Sequence, residues 1–140
     1  MSFFRVFDVS ASAMKAQSVR LNTTASNLAN ADSISNSTEG TYRARKPVFA
    51  AELQNAQHSA DSVGVQVAGI VESDAPLRME YYPEHPLANE EGYIFKPNVN
   101  VIEEMADMMS ASRNYQANVQ VTEAAKQMLN STLTLGRGNS

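Results

Sequence analysis

Residues 100–135 read NVIEEMADMMSASRNYQANVQVTEAAKQMLNSTLTL, a stretch without glycine or proline. Just upstream, Lys96-Pro97 disfavours helix, because the residue before a proline is pushed out of the α region. Asn100 then offers a side-chain oxygen to the first free N–H groups, with Glu103 placed three residues on as a capping-box partner. Glu104 and Asp107 add negative charge near the positive helix start. Val101, Met105, Met108, Ser112, Tyr115, Val119, Thr122, Lys126, Leu129 and Leu133 recur at helical spacing. Ile102, Met109, Val121, Ala124, Ala125, Met128 and Leu135 form a second stripe beside them. The pattern predicts a helix over 101–134, ended by Gly136. At 1.5 Å per residue that helix is about 51 Å long. A compact chain of this length is only about 37 Å across, so an elongated molecule is expected.

Working outward, residues 1–39 also lack both breakers, while the five prolines stand at 47, 76, 83, 86 and 97. Near the N-terminus Phe4, Phe7, Ala11, Met14, Ser18, Leu21, Ala25 and Leu28 alternate at three and four, a coiled-coil seam with one polar break at Ser18. A helix over 3–29 follows, with Asn30 as a left-handed stop and residues 30–40 (NADSISNSTEG) as a loop. In the middle, Val63, Val65 and Val67, then Leu77, Met79 and Tyr81, alternate as strands do. Residues 42–53 read as an earlier strand with an irregularity at Pro47, and Asn89-Glu90-Glu91-Gly92 as a turn before Tyr93-Ile94-Phe95. The expected fold is α+β: two long N- and C-terminal helices forming a coiled-coil-like axial part, with a small antiparallel β domain inserted between them. The expected divisions are 1–31, 32–97 and 98–140, and residues 55–62 (NAQHSADS) are expected to be an exposed loop of the outer domain.

Composition removes several function classes. With no cysteine there is no disulfide framework, no thiolate metal site and no thiol nucleophile. The net charge of −4 argues against nucleic acid as the main partner, and the acidity belongs to residues 32–97, with ten acids against five bases. No apolar run reaches the roughly 18 residues of a membrane span, and Arg5, Asp8 and Lys15 interrupt any signal-peptide core. The two histidines, His58 and His85, do not make a metal site: Glu84 and His85 are adjacent and point apart in an extended chain, so a surface turn is expected. No catalytic motif and no phosphate loop is present, which leaves a non-enzyme with no cofactor. In the one basic cluster, Tyr42-Arg43-Ala44-Arg45-Lys46, Arg43 and Arg45 share a strand face and are expected to pair with the acidic middle or a neighbouring subunit.

The C-terminal helix carries few charges: between 101 and 135 only Glu103, Glu104, Asp107, Arg113, Glu123 and Lys126. Its outer face is Asn114, Gln116, Asn118, Gln120, Gln127, Asn130, Ser131 and Thr132. Neutral amides and hydroxyls enter a protein interface without the desolvation cost of a charge, provided each finds a hydrogen bond. Aromatics at Phe3, Phe4 and Phe7, where a free terminus frays, point to docking. The helices are therefore expected to be surrounded by protein in the working state. The expected assembly interface is Phe4, Phe7, Met14, Leu21, Leu28, Val101, Met105, Met108, Tyr115, Val119, Leu129 and Leu133. A free coiled-coil adaptor or secretion chaperone, and a cell-wall enzyme with a metal at His85, are the readings from other classes.

Residues 22–32 (NTTASNLANAD), the start Tyr42-Arg43-Ala44, residues 103–121 (EEMADMMSASRNYQANVQV) and the ending LTLG at 133–136 together resemble the bacterial flagellar rod and hook axial proteins. The resemblance covers essentially the whole chain. Relatives in that family follow an Asn-Leu-Ala-Asn motif almost at once with Gly-Tyr. Here residues 34–39 intervene and Thr41 separates Gly40 from Tyr42, a departure that favours the proximal-rod member over its paralogues. The resemblance implies a non-enzymatic building block of the periplasm-spanning basal-body rod that transmits torque. It further implies export through the flagellar type III apparatus without signal-peptide cleavage, terminal helices packed around an axial channel, and self-assembly with copies of itself and other rod proteins.

Overall fold

The computed structural model describes residues 3–51 and 63–138. In chain order these form α1 (Phe3–Ala29), β1 (Arg45–Ala51), β2 (Val65–Glu72), β3 (Arg78–Tyr81), β4 (Tyr93–Lys96) and α2 (Val101–Arg137). The fold is α+β, with a long helix at each end and an antiparallel β region between them. That region is two separate two-stranded sheets, β1–β2 and β3–β4. The expected loop at 55–62, with His58, lies outside the described residues.

Both helices form where the breaker-free stretches predict, but three of their end signals act differently. Asn30 does not enter the left-handed region, since no described non-glycine residue has a positive φ. Its side-chain amide instead donates to the Ser26 carbonyl at 2.8 Å, which also accepts the Asn30 backbone N–H at 3.2 Å, so one residue closes the end of α1 with two bonds. At the start of α2, Asn100 Oδ1 accepts from the Ile102 and Glu103 N–H groups. The return half of the capping box is absent, because the Glu103 carboxylate is drawn to Lys46 Nζ of β1 at 3.3 Å. Gly136 does not end α2, which runs to Arg137 and is closed by the Gly138 N–H donating to Thr134 O at 3.1 Å. One helical glycine costs only about 1 kcal/mol, too little to stop a helix that nothing else turns.

Strand β1 begins at Arg45 and not at Tyr42, because side chains claim the preceding backbone: Ala44 N donates to Asn98 Oδ1 at 2.8 Å and Arg45 N to Asn27 Oδ1 at 2.9 Å. Leu53, the far end of the expected strand, is outside the described residues. Pro47 sits within the ladder opposite Ile70, and the irregularity falls one step later, between Val48 and Phe49, where Ala68 is the extra residue on β2. The β1–β2 ribbon lies along α1: Asn27 holds Arg45 at one end, and Ser12 Oγ accepts from Val65 N at 3.1 Å at the other. Fifteen helical residues rise about 22 Å and seven strand residues about 23 Å, so one ribbon length matches that span of helix.

Between β3 and β4 the turn forms as predicted. Asn89 Oδ1 accepts from the Glu91 and Tyr93 N–H groups, and Gly92 takes φ +82°, where a Cβ would meet the Tyr81 ring at 2.9 Å. The loop after α1 adds a bridge to this sheet, with Ser35 and Phe95 exchanging both backbone bonds. The core at the junction is small, Ala31, Ala44 and Val99 with Tyr42 packed against them, and polar staples supplement it. Asn98 Nδ2 donates to Ser73 O and Ala75 O, and the Arg78 guanidinium to Pro97 O and Ala31 O.

Candidate assembly surface

The surface is set by how α1 and α2 meet. Arg20 of α1 pairs with Asp107 of α2 at 2.5 Å, and one turn further along α1 Thr24 shares a cleft with Glu104, so the helices run antiparallel. That register sets Ala16 level with Ala111, which are both buried. Along α2 the buried positions are Glu104, Ala111 and Ala125, and Asn118 between them is half-buried. The spacing is seven, that of a coiled-coil seam. On α1 the buried positions are Ser10, Ala16, Thr23, Thr24 and Asn27.

These residues are small, and the hydroxyls among them are satisfied locally. Thr23 Oγ1 donates to Val19 O at 2.8 Å and Thr24 Oγ1 to Arg20 O at 3.0 Å. A threonine bonded back to its own helix buries its methyl group with no outstanding polar demand. At the C-terminal end of α1, fully buried Asn27 makes three bonds: Nδ2 donates to Arg45 O at 2.8 Å, while Oδ1 accepts from Tyr42 Oη at 2.8 Å and Arg45 N at 2.9 Å. Asn27 thus ties α1 to the segment that starts β1. Arg45 also stacks over Tyr42 and pairs with Glu72 at 3.3 Å, and Arg43, which precedes the strand, donates to Ser73 O. The basic cluster is used within the chain. A cleft of about 210 Å³ lined by Arg20, Lys46, Phe49, Glu104 and Asp107 lies where the helix pair meets the ribbon.

A seam closed by small residues leaves the large ones outside. Of the twelve residues expected at an assembly interface, Phe4, Val101, Met105, Tyr115, Val119 and Leu133 are exposed, and Phe7, Met14, Leu21, Leu28, Met108 and Leu129 are half-buried. None is among the fully buried residues of the two helices. The second stripe adds Ile102 at 81 % exposure and Leu135 at 79 %. The polar groups beside Leu133 and Leu135 make few demands on water: Ser131 Oγ, Thr132 Oγ1 and Thr134 Oγ1 donate to the carbonyls of Gln127, Met128 and Asn130 on their own helix.

Elsewhere the chemistry is sparse. His85 Nδ1 accepts from Leu87 N at 3.1 Å within a turn, and among the described residues no three His, Asp or Glu side chains gather as metal ligands. No described helix is long and apolar enough to cross a membrane. The Glu80 carboxyl is held below the usual carboxylate range by its hydrogen bond to Lys96, 2.5 Å away across the β3–β4 pair, and by that ammonium's charge. Periodicity alone overlooked Asn27, Thr23 and Thr24. Their signal was three poor helix formers crowded into the last turns of a helix, a local cost that tertiary contacts offset.

A helix pair that spends its small residues internally and presents its large apolar ones outward defines a subunit of a larger assembly. Residues 7–33 match the family described as flagella basal body rod protein, and residues 90–135 the flagellar basal body rod FlgEFG protein C-terminal family. The chain is 49 % identical to the flagellar basal-body rod protein FlgC of Escherichia coli O6:H1 over 137 residues, covering 98 % of this chain and all of that protein. It is 47 % identical to FlgC of Salmonella typhimurium over the same length and coverage. Against FlgC of Borreliella burgdorferi the identity is 33 % over 152 residues, with 99 % of this chain and all of the relative covered. The chain belongs to the FlgC family of flagellar basal-body rod proteins.

Proposed function

We propose that this chain is a non-enzymatic structural subunit of the proximal part of the flagellar rod, where it transmits torque. Residues 1–31 and 98–140 form the axial part, and residues 32–97 the outer part. The stripes headed by Phe4 and Val101 are buried by copies of itself and by other rod proteins, and the chain reaches the rod through the flagellar type III apparatus with no signal peptide removed. One observation carries this reading: α2, 37 residues and so about 55 Å long, closes on α1 with small residues while its Ile102, Met105, Met109, Met128 and Leu135 stay exposed. Each large apolar side chain covered by a neighbour contributes about 1.5–3 kcal/mol. Half-buried Asp107, Ser112 and Thr122 limit what the internal seam can add.

The test is complementation of a strain lacking its own copy, scoring swimming and the chain recovered in purified basal bodies. Met14→Asp and Tyr115→Asp each place an unpaired charge on a covered face at a cost of several kcal/mol, so both should abolish incorporation. His85→Ala should swim normally. Normal swimming with Tyr115→Asp, or loss of swimming with stable His85→Ala, would overturn the reading.

A further inference from the structure

We propose that the cleft where the helix pair meets the β1–β2 ribbon binds a primary alkylammonium group, carried by a small free amine or by the lysine side chain of a neighbouring protein. This goes beyond the rod reading and does not depend on it. The observation that carries it is Glu104. It lines the cleft and is only 4 % exposed, yet among the described residues no donor or cation meets its carboxylate.

Every donor around it is engaged elsewhere. At the start of α2 the Asn100 side chain accepts the N–H groups of Ile102 and Glu103, and the Asn100 carbonyl accepts that of Glu104. Of the other groups lining the cleft, Thr24 Oγ1 donates to Arg20 O, Arg20 pairs with Asp107, Arg45 with Glu72 and Lys46 with Glu103. Pro47 and Phe49 have no side-chain donor. Three bases thus stand against four carboxylates, and the one left over is the buried one. A buried charge without a counterion is costly, so the cleft is suited to a cation from outside the chain.

The lining also fixes the kind of cation. Asp107 lies three residues on from Glu104, on the same face of α2, and gives Arg20 only its Oδ1. Asp107 Oδ2 and the two Glu104 oxygens remain, as many acceptors as an ammonium has donors. No third His, Asp or Glu joins them among the described residues, which leaves a divalent metal short of ligands. Strand β1 contributes Pro47 and Phe49, apolar surface for a methylene stem, with an aromatic ring that attracts a cation. The volume of about 210 Å³ admits one such chain and is below the roughly 300–1,000 Å³ of ordinary ligand pockets.

The test follows thermal unfolding of the purified full chain with n-butylammonium chloride as the probe, against tetramethylammonium chloride and sodium chloride at equal ionic strength. Butylammonium should raise the midpoint saturably, by about 5 °C at about tenfold excess over its dissociation constant. Tetramethylammonium, which has no N–H to donate, should act as sodium does. Glu104→Gln keeps the shape and removes the charge, so its midpoint should match or exceed that of the parent chain and gain nothing from the amine. In NMR of the unaltered chain the butyl protons should show contacts to the Phe49 ring. No saturable rise, an equal rise with tetramethylammonium, or an equal rise in Glu104→Gln overturns the inference. Should Glu104→Gln fail to fold or melt below the parent, the Phe49 contacts alone decide. Carbodiimide treatment of purified basal bodies then separates the two sources: an amide joining Glu104 to a lysine of another chain identifies a neighbour's side chain, and without that link the free amine is the ligand.

Discussion

Replacing Asn27 by alanine tests the junction on which the arrangement of helices and ribbon depends. The asparagine is fully buried and its amide meets three groups: the Tyr42 hydroxyl and both backbone groups of Arg45. Alanine would strand the Arg45 N–H and C=O at about 1–3 kcal/mol each if water is excluded. The Tyr42 hydroxyl keeps the Ser26 hydroxyl at 3.2 Å, so its share is smaller. Against this, alanine in place of asparagine improves helix propensity by roughly 0.6 kcal/mol. The net loss should be about 3 kcal/mol, a large fraction of the roughly 5–15 kcal/mol that holds a domain together. With a urea m-value of about 1.5–2 kcal/mol/M, the unfolding midpoint should fall by about 1.5–2 M. Urea titration followed by far-ultraviolet circular dichroism and tyrosine fluorescence measures it, the chain having no tryptophan. Asn22→Ala, an exposed position on the same helix, serves as control and should change little. A midpoint for Asn27→Ala indistinguishable from that control would refute the claim that this side chain clamps α1 to β1.

Gly92→Ala combines a positive φ with a close approach to the Tyr81 ring, and should cost about 1–3 kcal/mol in the same titration. The Glu80 carboxyl should titrate below a free glutamate by NMR, and Lys96→Met should raise its midpoint. Because that carboxyl is depressed in the folded state, its stabilisation is present above the unfolded value and lost as pH falls through the folded one. In hydrogen exchange on the isolated chain, α2 amides between 104 and 125 should be protected and those beyond 126 should exchange quickly, since α1 ends there; uniform protection to Arg137 would contradict the register.

Local chemistry made much of this protein readable in its sequence. A run without glycine or proline, entered through Asn100 after Pro97, has little alternative to helix, and two-residue alternation around Val65 and Met79 has little alternative to strand. The shortage of charge on residues 101–135 is likewise legible in the sequence, and it lowers the cost of covering these faces with protein, because desolvating a charge is costly wherever the partner comes from. Which face of each helix turns inward was not readable. Periodicity marks the large apolar stripes, and by hydrophobicity alone Phe4, Met14, Val101 and Met105 would close on one another. The fold instead closes on Ala16, Ala111 and Ala125 and on threonines whose hydroxyls bond their own helix, because small side chains let two helix backbones approach closely. The roles of Asn27, Asn98 and Glu103 were equally hidden. Each bonds a residue at least 18 positions away, and only the tertiary path of the chain decides which distant backbone group an amide, or which lysine a carboxylate, will meet.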